Sequence, residues 1–399
     1  MNSKQHRKYT IKQIFKNHWS DFVISSFASA FWILRPSISE NVAKLLRCRE
    51  PQLNGYHLYR CPNHPDEERI IPHTCKSRSC ATCGSLAASR WADSLNQAFP
   101  NKPYFHITFT VPKLIGHFLF YHRDCLRFLF KASAETMMTW FWEKGGCIPA
   151  VSCILHTFGR QLNWHAHIHM IISAGGLKPL KGNPKNKSRQ LYSWKDVSFI
   201  PYIMAGKRFK GKLMCLIKNR LLEYYSQSVV DDLYNLNWYS HCRGQLDSTL
   251  LTIGYIGRYT KRPPIAQANI VDYQQSKQQM SFVFIETRSK NQCKYTLPVF
   301  EFIKLFIQHI PQKHAKYIYH YGLLANRCRS FYQRALKFLD LLPWLDKPHL
   351  SVDSMPYHLR RYFLTKLNPL VCKICKSSLV LALVVLPNKF GRGLRFVYL

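Results

Sequence analysis

The chain has 399 residues, enough for two or three domains at the usual size of roughly 150 residues. Lysine and arginine number 57 and aspartate and glutamate 21, which gives a formal charge of +36. Hydrophobic residues make up 47% of the chain, so a disordered basic tail is excluded and a packed core is expected. This charge favours a polyanionic partner, with nucleic acid the first candidate and an anionic membrane surface the second.

The first fifty residues are basic and mostly helical in their periodicity. The apolar stretch at residues 22–34 carries several serines, and we interpret it as an amphipathic helix and not as a signal peptide. No apolar run is long enough to predict a membrane span. The 14 cysteines lie singly in apolar stretches or cluster at metal-binding spacing, which favours a cytoplasmic protein over a disulfide-bonded secreted one.

Residues 56–90 have little hydrophobic periodicity but are rich in cysteine and histidine. Two pairs have the spacing at which tight turns present ligands to one tetrahedral zinc ion: Cys61 with His64, and Cys80 with Cys83. We predict one structural zinc on these four residues, with Cys75 as the alternative ligand. Arg78 and its basic neighbours are then placed to contact DNA phosphates.

Alternation of apolar and polar residues predicts β-strands at residues 104–111, 151–158 and 165–172. The third strand carries His165, His167 and His169, which share one face because residues two apart on a strand point to the same side. A hairpin between the second and third strands would bring His156 beside them. Three imidazoles on one sheet predict a divalent-metal site with open positions for substrate oxygens. The choice among the three alternating histidines stays open at this point.

Residues 247–261 are predicted to form a helix, with an aspartate cap at its start and two prolines after its end. Tyr255 and Tyr259 lie four residues apart and therefore share one face of that helix. Three basic residues would hold a phosphate backbone against this face: Arg258, Lys261 and Arg262. Combined with the histidine strand, the tyrosine pair favours a nucleophile whose weak acidity is offset by a nearby metal.

Several segments together resemble the insertion-sequence-91 family of transposases, whose nuclease belongs to the HUH (His–hydrophobic–His) class. The resemblance lies in residues 77–83, 105–112, 156–159, 163–169, 254–259, 261–264, 302–310 and 319–323. These segments cover most of the chain in the family's order. His64 departs from the family, which usually has a second cysteine at that position.

With this resemblance we expect an α+β fold in three parts. These are an N-terminal helical and zinc-binding DNA-binding module at residues 1–98, an HUH-type nuclease with an antiparallel sheet flanked by helices at 99–295, and a mainly helical region at 296–399. The resemblance implies that the HUH motif is His167-Ile168-His169, with His156 as the third ligand of the active-site metal. The C-terminal region carries a Cys372-x2-Cys375 pair, which needs two further ligands to complete a zinc site.

The resemblance implies a cytoplasmic DNA transposase that nicks and joins single-stranded transposon ends and target DNA in a rolling-circle-like mechanism. Tyr255 or Tyr259 would attack the phosphodiester, forming a 5′-phosphotyrosine, with Mg²⁺ or Mn²⁺ at the histidines and Zn²⁺ at the cysteine cluster. Two other functions remain open: a rolling-circle replication initiator or relaxase of a plasmid or phage, and a non-catalytic zinc-finger DNA-binding protein. The sequence leaves the order of the two tyrosines and the oligomeric state undetermined.

Overall fold

The computed structural model describes residues 9–28, 35–180, 191–246, 263–286, 289–342, 368, 370–387 and 394–398. Within these ranges the chain forms helices and three antiparallel sheets, so the predicted α+β class is confirmed. Residues 247–262 lie outside the described residues. They include both predicted nucleophiles and three predicted DNA contacts: Tyr255, Tyr259, Arg258, Lys261 and Arg262.

The described helices are α1 (Ile11–Ala28), α2 (Pro36–Arg47), α3 (Pro51–Asn54), α4 (Ala81–Ala98), α5 (Lys113–Tyr121), α6 (Leu126–Gly145), α7 (Tyr202–Leu222), α8 (Gln227–Asn235), α9 (Val299–Ile307) and α10 (Arg329–Phe338). The described strands are β1 (Tyr56–Arg60), β2 (Glu68–Pro72), β3 (Tyr104–Thr110), β4 (Ile148–Phe158), β5 (Trp164–Pro179), β6 (Tyr192–Asp196), β7 (Ser240–Leu246), β8 (Ile270–Gln274), β9 (Gln279–Ile285), β10 (Gln292–Pro298), β11 (Ile318–Gly322), β12 (Val380–Pro387) and β13 (Leu394–Tyr398).

The central sheet has the strand order β11-β4-β5-β3-β7, and β6 pairs with the far end of β5. Strands β3, β4 and β5 correspond to the three strands predicted from alternation. One face carries Ile107, Leu155 and Ile168, which pack in one large core with residues of α5 to α8. The other face carries Ile154 and Ile171, which pack with residues of α4 and α10. The sheet is therefore covered by helices on both faces.

The long aromatic segment between residues 114 and 142 has a helical period, but in the structure it is divided between two helices. Helix α5 ends at Tyr121, a short 3-10 turn covers Arg123–Cys125, and α6 begins at Leu126. The Nε and Nη2 groups of Arg123 donate to the carbonyls of Phe120 and Gln308, at 3.2 and 2.8 Å. The break between α5 and α6 thus allows Arg123 to reach the end of α9. The helical periodicity of this segment is continuous and did not indicate the break.

A second core joins the beginning of the chain to its later part. Helices α1, α2 and α9 and the sheet β10-β9-β8 contribute its buried residues, among them Phe15 and Phe306, whose ring centroids lie 5.2 Å apart. Aromatic packing of this kind stabilises the contact beyond the area it buries. The module that begins near the N-terminus is therefore completed by a helix that lies beyond residue 295.

The third sheet has the order β13-β12-β1-β2, so two strands from the end of the chain extend an N-terminal hairpin. Strand β12 pairs antiparallel with β1, with Leu58 opposite Leu383. The region from residue 296 onward was expected to be mainly helical; it supplies α9 and α10 but also β11, β12 and β13. Alternation in β12 is weak because its apolar residues are continuous, which explains why sequence periodicity missed this strand.

Among the residues that the structure describes, none of the helices combines the length and the apolar character needed to cross a membrane.

Candidate functional site

The β4–β5 hairpin brings the predicted metal-binding histidines together. His156 on β4 is directly opposite His167 on β5, and Ile154 is opposite His169. One ring nitrogen of each of the three histidines lies within 4.8 Å of those of the other two. His156 and His167 are 4% and 9% exposed, so both side chains are buried. The geometry of this sheet is compatible with an HUH-type nuclease.

Neighbouring groups orient two of these rings. His167 Nδ1 donates to the carbonyl oxygen of His165 at 2.8 Å, which leaves its Nε2 lone pair facing the cluster. His169 Nδ1 lies 2.8 Å from Nε2 of His106 and 3.3 Å from Oγ1 of Thr108, both on β3. Metal-binding histidines are commonly held in this way through the nitrogen that does not contact the metal.

Burial keeps the rings of His156 and His167 neutral. Burial is the main cause that lowers the pKa of His167 to about 4, with a further contribution from His165. Burial also holds the pKa of His156 well below its usual range, and the charges of His167 and Arg78 act in the same direction. A neutral imidazole with a free lone pair is the form that binds a metal. The donor set therefore fits a divalent cation.

A first cysteine cluster lies in the core that joins the N-terminal helices to α9. It joins the end of α2, the loop before α4 and the first turn of α4, and its members are Cys48, Cys75, Cys80 and Cys83. The Sγ atom of Cys83 lies 3.7 Å from that of Cys48 and 3.6 Å from that of Cys75. Tetrahedral coordination with zinc–sulfur bonds of 2.3 Å separates sulfurs by about 3.8 Å. Hydrogen bonds from the neighbouring thiols also lower the pKa of Cys83 strongly, which favours the thiolate form.

A second cluster joins the two ends of the chain. It consists of Cys61 and His64 from the β1–β2 hairpin and Cys372 and Cys375 from the turn before β12. Cys61 Sγ lies 3.6 Å from Cys375 Sγ, and His64 Nδ1 lies 3.8 Å from both Cys61 Sγ and Cys372 Sγ. Three sulfurs and one imidazole nitrogen at these separations are a donor set that suits tetrahedral zinc.

The single zinc site expected on Cys61, His64, Cys80 and Cys83 is corrected by this geometry. The structure assigns the Cys-x2-His pair and the Cys-x2-Cys pair to different clusters, because each pair finds its partners elsewhere in the chain. Cys75, the alternative ligand, belongs to the first cluster. Cys48 was missed, since it is single in the sequence and lies in a helical segment. The unpartnered Cys372-x2-Cys375 pair was the available signal for the second cluster.

Arg78 connects the first cysteine cluster to the histidines. It lies in the loop between Cys75 and Cys80, and its guanidinium carbon is 4.4 Å from the ring centroid of Tyr317. Together with Thr157 and His309 it lines a small pocket at the end of β4, next to His156. The sequence predicted Arg78 as a DNA contact, and the structure places it beside the histidine cluster.

Two transposase family models match the chain. The model of a transposase zinc-binding domain, Zn_Tnp_IS91, matches residues 14–111, and the transposase model Y2_Tnp matches residues 150–331. These segments contain the first cysteine cluster and the β4–β5 hairpin. The chain belongs to the insertion-sequence-91 family of transposases.

Two relatives are similar to this transposase over most of its length. The transposase for insertion sequence element IS801 of Pseudomonas savastanoi pv. phaseolicola is 28% identical over 87% of this chain and 84% of its own. A protein of Sinorhizobium fredii (strain NBRC 101917 / NGR234), named as transposase y4qJ, is 25% identical over 86% of this chain and 88% of its own. A search of solved structures gave no match.

His106 is the residue of the central sheet's histidine site that sequence reasoning overlooked. Its position on β3 alternates with Ile107 and Phe109, so it points to the face opposite the large core. That alternation, already visible in the sequence, was the signal. The register between β3 and β5 cannot be derived from alternation, and only this pairing shows that His106 reaches His169.

Proposed function

We propose that this transposase nicks and joins single-stranded DNA through a 5′-phosphotyrosine intermediate, in a rolling-circle-like mechanism. The observation that carries the proposal is the convergence of His156, His167 and His169 on one face of an antiparallel sheet. Two of these rings are oriented by hydrogen bonds at their far nitrogens. Such preorganisation is expected of a centre that binds a metal for catalysis and not of histidines that only pack.

We assign the divalent cation of the reaction, Mg²⁺ or Mn²⁺, to His156, His167 and His169. When bound, such an ion neutralises charge on the scissile phosphate and orients it. Three protein ligands leave further positions open, and imidazoles suit Mn²⁺ better than Mg²⁺. Arg78 adds a fixed positive charge at the same end of β4, where it attracts the DNA backbone.

The nucleophile that we propose is Tyr255 or Tyr259, on the strength of the sequence alone. The tyrosine oxygen attacks phosphorus and loses its proton to solvent, forming an oxygen–phosphorus bond. The bond from phosphorus to the 3′ oxygen breaks, and that oxygen takes up a proton to leave as a free 3′-hydroxyl. The 5′ side remains attached to the enzyme. A second tyrosine allows a second strand transfer before the first is released, and the basic residues Arg258, Lys261 and Arg262 would hold the strand beside both.

We propose a structural zinc in each cysteine cluster. The first, on Cys48, Cys75, Cys80 and Cys83, would fix the loop that carries Arg78 beside the histidines. The second, on Cys61, His64, Cys372 and Cys375, would fasten the C-terminal strands to the N-terminal hairpin. Both segments are short and polar, so ligand binding would replace the apolar core that they lack.

The experiment that tests the proposed function is incubation of the full-length protein with single-stranded DNA carrying the element ends, with Mg²⁺ or Mn²⁺. We expect a covalent protein–DNA adduct on a denaturing gel, attached to the 5′ side of the cut, and none when the metal is chelated. A protein that binds the DNA but forms no adduct under any of these conditions would instead be a non-catalytic zinc-finger DNA-binding protein. Adducts formed only with a replication origin would identify a replication initiator.

A further inference from the structure

Three arginines from distant parts of the chain meet at the C-terminal end of α9. Arg35 precedes α2, Arg78 lies between the ligands of the first cysteine cluster, and Arg123 occupies the break between α5 and α6. All three guanidinium groups are close enough to Tyr317 for its hydroxyl to act on their pKa values. Convergence of three like charges is costly, and it calls for a compensating group.

Backbone carbonyls and aromatic rings supply part of that compensation. Arg35 Nη2 donates to the carbonyl of Ile310 at 3.0 Å, and Arg123 Nη2 donates to that of Gln308 at 2.8 Å. The guanidinium of Arg123 also stacks on Trp164, 4.5 Å from the ring centroid. These contacts place two cations at the negative end of a helix, where they are favoured.

The compensation is incomplete, because Arg35 and Arg123 each retain an unsatisfied donor. The Nη1 atoms of both Arg35 and Arg123 are inaccessible to solvent and make no hydrogen bond to any described residue. Within the described ranges, none of the three arginines forms an ion pair with a carboxylate. A buried cationic donor without a partner costs more than an exposed one, so these groups are arranged for an anion that the described residues do not provide.

The arginine cluster lies next to the histidine cluster and is distinct from it. The backbone N–H of Leu155, adjacent to His156, donates to the carbonyl of Tyr317 at 2.9 Å. The pocket lined by Arg78 also includes Thr157 and Ile310, the residue whose carbonyl binds Arg35. A strand with one phosphate at the histidines would therefore pass a neighbouring phosphate close to these arginines.

We propose that Arg35, Arg78 and Arg123 form a second phosphate subsite, which binds one backbone phosphate of the DNA strand beside the scissile one. Guanidinium groups suit this ligand because their planar donor pairs match phosphate oxygens. The inference rests on the proposed function in one respect, since it takes single-stranded DNA as the ligand. The subsite would fix the register of the DNA strand on the protein, so that one particular phosphate reaches the histidine site.

The test uses single-stranded oligonucleotides in which one phosphate at a time is replaced by a neutral methylphosphonate. With the wild-type protein, we expect one position, away from the cut, at which the replacement weakens binding about tenfold. Arg123→Gln should weaken binding of the unmodified strand to a similar degree, and the replacement at that position should then cause no further loss. Arg35→Gln should behave in the same way, while Arg127→Gln, which removes an exposed charge at the start of α6, four residues after Arg123, should preserve the wild-type pattern.

Two results would overturn the subsite. Arg35→Gln and Arg123→Gln could lower only the melting temperature and keep the full methylphosphonate pattern, which would mean that the arginines merely cap α9. Alternatively, millimolar inorganic phosphate could stabilise the wild type through these arginines without competing with DNA, so that the ligand would be a free anion. If the wild type binds the strand and forms the covalent adduct in either case, the proposed function stands and only the subsite fails.

Discussion

The Nε2 atoms of His167 and His169 lie 3.2 Å apart on one face of β5. Each ring is turned by a different neighbour: His167 by the carbonyl of His165, and His169 by His106 and Thr108. Two neutral imidazole lone pairs facing each other repel, unless a proton or a cation lies between them. In the metal-free site a proton on one of the two Nε2 atoms relieves this repulsion, and a bound cation takes the place of that proton; the first two expectations below test that cation.

Replacing either His167 or His169 by alanine should abolish adduct formation and leave DNA binding nearly intact. Many lysines and arginines contribute to binding, whereas charge that develops on the phosphate is met at the metal. His165→Ala should have a smaller effect, because the carbonyl that orients His167 belongs to the backbone and is retained. Gel assays of adduct formation alongside fluorescence anisotropy for binding would measure both properties. Loss of activity in His165→Ala with full activity in His156→Ala would show that the metal is held by a different triad.

His106→Ala should lower the affinity of the histidine site for its metal without removing a ligand. His106 holds His169 through the nitrogen that faces away from the cluster, and loss of such a partner commonly lowers metal affinity about 10- to 100-fold. We therefore expect adduct formation to shift to higher Mn²⁺ concentration, with the maximum rate largely recovered at saturation. His117→Ala, at an exposed position on α5, serves as the matched control and should not shift the titration. An unchanged Mn²⁺ requirement in His106→Ala would show that His106 does not orient His169 for metal binding.

Freshly purified protein should contain about two zinc ions per chain, one in each cysteine cluster. Cys83→Ser and Cys375→Ser should each lose about one of them, and Cys215→Ser, at an exposed single cysteine, should lose none. Because the second cluster joins segments 314 residues apart in the sequence, Cys375→Ser should also expose the C-terminal strands to limited proteolysis. Elemental analysis and a time course with trypsin provide these measurements. A content of one zinc that Cys375→Ser leaves unchanged would exclude the second site.

The stability of the protein should fall as the pH decreases below about 6.5, in part because of His309. Burial is the main cause that lowers the pKa of this histidine from 6.5 to about 3, and the charges of Arg123 and Arg78 add to it. The unfolded chain therefore binds a proton at His309 between these values while the folded chain does not. The contribution at pH 5 is about 2 kcal/mol of lost stability.

His309→Gln keeps groups able to bond to Leu162 and Thr157 but removes the titration. Urea unfolding at pH 7 and pH 5 should show a smaller difference in this variant than in the wild type. His117→Gln, an exposed histidine, should retain the wild-type difference. Equal pH dependence in all three proteins would show that His309 does not titrate in this range on unfolding.

Periodicity was sufficient to predict the three central strands of the sheet and the face shared by the histidines of β5. A strand repeats every two residues, so the shared face of His165, His167 and His169 follows from spacing alone, and hairpin pairing with His156 needs only a short connection. These inferences depend on local geometry. His156, His167 and His169 could be brought together in this way because they lie on consecutive, directly paired strands.

The zinc ligands and the arginine cluster could not be derived in the same way. Cys61 meets Cys375 across 314 residues, and Arg35 meets Ile310 across 275. Spacing identifies ligand pairs, but the choice between two possible partner pairs depends on how whole segments pack. Similarly, nothing in the sequence around Arg123 indicates that α5 and α6 are separated by a turn that directs its side chain towards α9.

The most direct measurement of the central proposal is adduct formation by the protein carrying both Tyr255→Phe and Tyr259→Phe. Phenylalanine retains the ring and deletes only the hydroxyl oxygen, so folding and DNA affinity should change little. We expect no covalent adduct with single-stranded element ends in the presence of Mn²⁺, and each single variant should show whether one tyrosine is dedicated to the first cut. A double variant that still forms a covalent bond to DNA, or that still transposes, would contradict the tyrosine mechanism.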